Sequence, residues 1–423
     1  MSNLPEILPV VPFTSAVRTS VTLPGSKSIT NRALILAALA EQPVKLHGAL
    51  FSRDTYLMIG ALQDLGFNVN ASHTDRTITI GGRGGKIPVR EARLNVGNAG
   101  TAARFLTAFV CLQPDGCYHF DGDEAMRRRP IAALLDALES QGAQASARNF
   151  PFTLRTAGLP GGNVRLDASE SSQLLSALLL VGRHARSPLT VQLQGETVSR
   201  PFVAMTEMML EQFARKPAHY LIENDATAAS YFLALPLLTN SVLALPDYIM
   251  SGGLQGDTQF AGVMRRVGLE MRKLADGSGV QVWRPEGRRL CGVTADFNAF
   301  SDTFLTLAAI APLLDGPTKI TGIAHTRKQE TDRVAGMARE LTKLGQRVVE
   351  TEDSLEIHPQ PLVSGVEIET YHDHRFAMSF GILGCYDLHR TGRPWLTIKD
   401  PACCNKTFPS FFELLAHLRT DSD

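Results

Sequence analysis

Apolar and polar positions along the chain follow two periods in a fixed order. A stretch with apolar residues every three or four positions, the period of a helix with one buried face, leads to a Gly. Two short runs of alternating apolar and polar residues follow, the period of half-buried strands. ALQDLGFNVNASHTDRTITIGG from Ala61 has this form, and so does AALLDALESQGAQASARNFPFTLRTAG from Ala132. VMRRVGLEMRKLADGSGVQVW from Val263 and MARELTKLGQRVVETEDSLEIHP from Met337 are two further copies. In each, the Gly after the last helical turn suits a left-handed C-cap. A helix and hairpin met four times predict an α/β or α+β fold built by duplication.

Two segments break the pattern. At MTEMMLEQFARKPAHYLIEND, from Met205, the helix runs almost directly into the next segment, so the strand pair expected after it is missing or cut short. The last helical pattern, FFELLAHLRTDSD, has no hairpin after it. Six units, three to each half, account for the length, with the boundary near Tyr220–Glu223. The domains are then 25–222 and a discontinuous partner made of 1–24 and 223–423. The extended, Pro-containing N-terminal segment has no unit of its own and is expected to pair with the far half.

A chain of 423 residues accommodates two to four domains. Lys and Arg number 42, as do Asp and Glu, so the net charge is zero and a general nucleic-acid binder is excluded. Any anionic ligand must be met by local clustering. The six cysteines form no CxxC pair, so reduced thiols are expected. Prolines interrupt the N-terminal apolar run and its first Arg is Arg18, unlike a secretion signal. The longest apolar runs, Ala33–Ala40 and Leu305–Leu314, fall short of the ~20 residues that span a bilayer. A soluble, cytoplasmic protein is expected, with neither a membrane nor a nucleic acid as partner; nothing in the sequence calls for an oligomer, and a monomer is expected.

The chemistry concentrates at helix starts. Leu23-Pro-Gly-Ser-Lys-Ser-Ile-Thr-Asn-Arg32 leads from a Pro-Gly turn through capping residues into an apolar helix, which presents free N–H groups and a positive dipole end to an anion. Arg32, read as first-turn, stands against that dipole, as expected of a residue facing an anion; the plain alternative is a capped helix with two solvated cations. Gly97-Asn-Ala-Gly-Thr-Ala-Ala-Arg104 repeats the arrangement with glycines that permit close approach. Arg127-Arg-Arg-Pro130 sets three cations before a helix with Pro130 as its first residue, and Ser169-Glu-Ser-Ser-Gln173 offers hydroxyl and amide donors. His372-Asp-His-Arg375 and Lys406-Thr-Phe-Pro409 open two more. Six such sites point to one multiply anionic ligand set, because phosphates and carboxylates require charged forks and oriented donors. Neither a GxxxxGK[ST] loop nor a strand followed by GxGxxG is present, so no nucleotide is implied. His372 and His374 adjoin Arg375, which repels a cation, so they are read as hydrogen-bonding or core residues and no metal is expected. Asp302 and Glu330 are the candidates for proton transfer, with helix capping as the commoner role for such acids.

LPGSKSITNRALILAALA, GNAGTAARFLTA, RRRPIAALLDAL, SESSQLLSALLL, KQETDRV, YHDHRFAM and NKTFPSFFELL, in that order over nearly the whole chain, resemble the motifs of the 5-enolpyruvylshikimate-3-phosphate synthases. The resemblance implies an α/β fold of two domains, each of three βαβαββ units around a pseudo-threefold axis, an inside-out α/β barrel. The active site is expected in the cleft between the domains, which close on the substrates. It implies transfer of the enolpyruvyl group of phosphoenolpyruvate to the 5-hydroxyl of shikimate 3-phosphate by addition and elimination, without a cofactor. Shikimate 3-phosphate contacts fall on Lys27, Ser28, Arg32, Ser171, Ser172, Gln173, Ser199, Asp302 and Gln329. Phosphoenolpyruvate contacts fall on Lys27, Gly100, Arg129, Gln173, Arg333, Arg375 and Lys406. Asp302, Glu330 and Lys27 are the implied catalytic residues, with domain 25–222 on the shikimate side and the discontinuous domain on the phosphoenolpyruvate side.

The chain departs from the family pattern at several positions. Gln329 replaces a common Lys, with Lys328 one residue earlier; Phe202 replaces a common Tyr; His325 replaces an Asn; Phe105 replaces a Pro. A related reading is the enolpyruvyl transferase that acts on UDP-N-acetylglucosamine, disfavoured by the Ser28/Arg32 and Ser171-Ser172-Gln173 sets. An RNA-binding or RNA-processing protein with related repeats is disfavoured by zero net charge and few aromatic residues.

Overall fold

The computed structural model describes residues 4–195 and 199–420, so the outermost three residues of each terminal segment singled out above lie outside it. By internal contact the chain divides into a continuous unit, Gly25–Glu223, and a discontinuous one, Met1–Pro24 with Asn224–Asp423.

One sheet plan recurs. In the continuous unit, strands Glu91–Asn95 and Gly116–Asp121 pair in parallel, then Phe152–Thr156 and Gln144–Ala145 add antiparallel. His219–Leu221, Val44–His47, Thr77–Ile80 and Val69–Ser72 repeat that order. The third sheet holds only the parallel pair Gly162–Asp167 and Leu189–Gln194. In the discontinuous unit, Thr294–Asp296, Thr318–Thr321, Ser354–His358 and Arg347–Glu350 form one sheet of this plan. Arg18–Ser20, Val242–Pro246, Gly279–Trp283 and Glu270–Lys273 form another. Val366–Ile368 and Leu396–Lys399 are parallel, and Ile7–Pro9 from the N-terminal segment adds the antiparallel strand.

The N-terminal segment thus supplies two strands to the discontinuous unit, as its lack of a repeat suggested. After Met205 the helix Arg200–Ala214 leads straight to His219–Leu221, which joins the first sheet of its unit, so the hairpin of that repeat is absent. Among the described residues no sheet closes on itself; helices fill the interior. The helices Lys27–Leu39, Gly100–Val110 and Ser172–Gly182 of one unit are almost wholly buried, as are Ala226–Thr239, Phe304–Ile310 and His374–Gly384 of the other. Their runs lack a polar face, and a helix that is apolar all round belongs inside. Each fully buried Leu, Ile or Phe contributes about 1.5–3 kcal/mol, which makes these helices the anchor of each unit. The predicted glycines Gly66, Gly142, Gly268 and Gly345 have φ of 86°, 96°, 128° and 85° and release the chain from outer helix to hairpin. No helix among the described residues is long and apolar enough to cross a membrane.

Candidate functional site

Four inner helices follow a strand of their own unit's sheet, and two, Lys27–Leu39 and Ala226–Thr239, follow a strand that pairs in the other unit, so each predicted helix start comes just after a strand. In the continuous unit, Ser26 caps Lys27–Leu39 by accepting from the Ile29 N–H at 3.5 Å. Lys27 opens the helix, and its Nζ lies 3.7 Å from the buried carboxylate of Asp54, a partner that the sequence reading did not find. Ser28 follows, half-buried.

Arg32 behaves differently from its expectation. It lies in the second turn rather than the first and points into the protein, with only 1% of its surface exposed. Its Nε donates to Thr206 Oγ1 at 2.8 Å, and its terminal nitrogens donate to the Ser28 carbonyl at 3.1 Å, Ser176 Oγ at 3.2 Å and the Phe202 carbonyl at 3.0 Å. Its guanidinium carbon stands 5.2 Å from the Phe105 ring and 6.0 Å from that of Phe202, so two departures from the family pattern pack around this one side chain. Burial pushes its pKa down to about 9. Phe105 leaves the helix Gly100–Val110 unbroken.

At the second helix start, Arg129 lies over Gly100: a Cβ built there meets the guanidinium at 2.5–2.7 Å. Arg129 also donates to the carbonyl and side-chain oxygens of Asn98, each at 3.4 Å. Its Nε is buried with no hydrogen-bond partner among the described residues, a donor that an anionic ligand can satisfy. Its predicted companions diverge: Arg127 pairs with Asp121 at 2.8 Å and Arg128 with Glu124 at 2.6 Å, both in solvent. Pro130 stands ahead of the helix, which begins at Ala132. Arg104, which the sequence reading did not select, is buried beside Arg129, donates to the Gly100 carbonyl at 3.3 Å and also binds the Pro130 carbonyl. Burial, reinforced by the Arg129 charge, lowers its pKa far below the usual value.

At the third start, Ser171 caps the helix by accepting from the Gln173 N–H at 3.3 Å, with Ser172 buried and Gln173 half-buried. Ser199 adopts φ 52° and ψ 47°, a left-handed backbone that non-glycine residues seldom take, at the start of Arg200–Ala214.

In the discontinuous unit the predicted residues meet in one buried cluster. Arg333 donates from Nε to Asp373 Oδ2 at 2.7 Å, from Nη1 to Asp302 Oδ1 at 2.9 Å and from Nη2 to Glu330 Oε2 at 2.6 Å. It also binds Gln329 Oε1, so the amide that replaces a family lysine is engaged within the cluster. Arg375 donates to Asp302 Oδ2 at 2.6 Å, and Lys406 Nζ lies 3.1 Å from Glu330 Oε1. Burial alone would lower the two arginines; the carboxylates outweigh it, Asp373 foremost for Arg333 and Asp302 for Arg375, and both are raised. Arg375 Nε has no partner among the described residues. Asp373 is the residue missed here: its signal was its place just before an apolar run, since it caps His374–Gly384 by accepting from the Arg375 N–H at 2.9 Å.

Glu330, Asp373 and His374 bring possible ligand atoms within 4.8 Å of one another. Both carboxylates already neutralise Arg333 or Lys406, so a metal cation would have to displace bound charge. His374 is buried, 3.6 Å from Glu330, while exposed His372 pairs with Asp400 at 2.7 Å. His325 bonds Ser301 Oγ at 2.8 Å, and burial lowers its pKa against the pull of Asp302. Lys406 ends a short 3-10 turn, so the last outer helix starts later than its motif suggested, at Phe411.

The profile of a family described as EPSP synthase (3-phosphoshikimate 1-carboxyvinyltransferase) matches residues 12–216 and 214–415. The chain is 52% identical, over an alignment 444 positions long, to a 3-phosphoshikimate 1-carboxyvinyltransferase of Opitutus terrae, covering 99% of each. It is 37% identical to the one from Nostoc punctiforme, covering 94% of this chain and 95% of the other. An EPSP synthase structure from Acinetobacter baumannii superposes with a TM-score of 0.79 at 25% identity, covering 98% of both chains. The enolpyruvyl transferase NikO from Streptomyces tendae shares the fold at 17% identity, with a TM-score of 0.73 over 98% of this chain and 97% of that one.

Proposed function

The chain belongs to the EPSP synthase family, the 3-phosphoshikimate 1-carboxyvinyltransferases, and on that premise we propose which of its side chains carry the reaction. The enzyme transfers the enolpyruvyl group of phosphoenolpyruvate to the 5-hydroxyl of shikimate 3-phosphate and releases phosphate, on the route to the aromatic amino acids. Both substrates are anions that repel one another, so holding them together requires converging cations and helix starts.

Phosphoenolpyruvate is held by Arg333, Arg375 and Lys406 and by Lys27, Gly100, Arg129 and Gln173. Shikimate 3-phosphate rests on Lys27, Ser28, Ser171, Ser172, Gln173 and Ser199, with Asp302 and Gln329 at its hydroxyl side, while Arg32, its nitrogens satisfied inside the protein, packs behind them. The arrangement that carries the reading is Arg333, whose single guanidinium ties Asp302 at 2.9 Å and Glu330 at 2.6 Å. Two carboxylates on one fork are poised for two proton transfers. Asp302 takes the proton of the 5-hydroxyl as its oxygen bonds to C2 of phosphoenolpyruvate, and Glu330, in its protonated form, delivers a proton to C3. Glu330 then takes a proton back from C3 as the C2–O bond to phosphate breaks, which restores the double bond, and the proton held by Asp302 leaves with the phosphate. Lys27 supports the charge that develops. All six cysteines are free thiols, which suits the reducing cytoplasm.

Phosphate release is expected only when both substrates are present, and Glu330→Gln is expected to lower kcat by about 10²–10⁴-fold while shikimate 3-phosphate still binds. Phosphate release without need of the second substrate would overturn the assignment.

A further inference from the structure

The strand Leu189–Gln194 has a free edge. In each of the other five sheets the strand in its position carries an antiparallel neighbour on that side. The sheet of Val366–Ile368 and Leu396–Lys399 is the instructive case. No hairpin of its own repeat serves it, and Ile7–Pro9, a strand from elsewhere in the chain, takes the place. Only the Leu189–Gln194 position lacks an occupant among the described residues.

The surroundings match an uncovered site. Leu189 and Val191 line an open groove of about 620 Å³ with Leu178, Leu210 and residues on the helix Arg200–Ala214. Of the fifteen residues of that helix only Met205, Thr206, Met209 and Leu210 are buried; Leu193 on the strand is 46% and Met208 on the helix 37% exposed. An unpaired strand with an apolar face is a template for strand addition.

We propose that a second copy of this chain occupies the edge, Leu189–Gln194 pairing with itself across a two-fold axis. A two-fold axis normal to the sheet makes the pair antiparallel, the direction that the other five sheets show at this position. With the axis at Val191, Leu189 of each copy stands opposite Leu193 of the other, Val191 opposite Val191, and Thr190 opposite Gln192. The apolar residues then share one face, and the strand bears no charge to repel its copy. The groove carries Arg183, Arg186, Glu207 and Glu211, none in an ion pair among the described residues. Two charges of each sign let one patch complement itself, as an isologous contact requires. This proposal departs from the monomer expected from sequence.

The test is sedimentation of the full chain between about 1 and 100 μM, the range where modest interfaces dissociate, with hydrogen exchange at both limits. The expected result is a mass that climbs toward twice that of the chain, with the amides of residues 189–194 protected only at high concentration. Leu193→Lys, at an exposed position outside the site, is expected to weaken association at least about tenfold by placing a charge on the edge, while phosphate release per chain stays unchanged and shows that the variant is folded. A monomer at every concentration overturns the proposal. So does a dimer that Leu193→Lys leaves as tight, or one without protection at 189–194.

Discussion

Adding one methyl group at Gly100 separates the ligand role of that helix start from its structural one. The new Cβ stands 2.5 Å from one terminal nitrogen of Arg129, 2.6 Å from the other and 2.7 Å from the guanidinium carbon. Carbon and nitrogen atoms not bonded to each other rest at about 3.5 Å, so the guanidinium must withdraw by roughly 1 Å. It sits at the end of a flexible side chain and can do so without disturbing the core. The backbone tolerates the change too: Gly100 is the first residue of its helix and is not in the left-handed region, so Ala fits its conformation. Gly100→Ala is therefore expected to unfold at the same temperature as the native chain or slightly above it. A displacement of about 1 Å in a positioning group costs up to ~10²-fold in rate, so kcat/KM for phosphoenolpyruvate is expected to fall about 10–100-fold. Shikimate 3-phosphate affinity, measured by calorimetry without the second substrate, is expected to hold. Phosphate release across a range of phosphoenolpyruvate concentrations reads the main effect. An unchanged kcat/KM would refute the placement of Arg129 on the ligand, and a lowered melting temperature would refute the claim that only the side chain moves.

Two further outcomes follow from buried groups. Thr206→Val keeps the shape of the side chain but leaves Arg32 Nε without its 2.8 Å acceptor, and a buried donor so stranded costs about 1–3 kcal/mol; urea unfolding with no loss of stability would show that Arg32 is held otherwise. Burial, reinforced by the charge of Asp302, raises the Asp257 carboxyl from 3.8 to about 8. Between those values the folded chain keeps a proton that the unfolded chain has released, so this contribution to stability is full below about pH 4 and is lost as pH rises to about 8. Asp257→Asn is expected to gain in melting temperature over the native chain steadily across that interval, and parallel pH profiles would count against a neutral Asp257.

The helices, their caps and the hairpins after Gly66, Gly142, Gly268 and Gly345 were legible because each rests on neighbours a few residues apart: apolar spacing, a capping side chain and a glycine at positive φ. The missing hairpin after Met205 was legible for the same reason, since too few residues separate that helix from the next segment. The basic and acidic residues of the candidate site could be picked out by their places at helix starts. Their partners could not. Arg333 meets Asp373 from 40 residues away and Asp302 meets Arg375 from 73, pairings that exist only once separate helices have packed together. Arg32 showed the limit most clearly: its position in the helix was visible, but its direction was set by Thr206 and Ser176 on other helices, which satisfy its nitrogens inside the protein. Strand membership was equally a tertiary matter. Arg18–Ser20 and His219–Leu221 each precede a helix of one unit yet pair in the other, because backbone hydrogen bonding rewards whichever edge is adjacent in space, and adjacency in space is not written in local order.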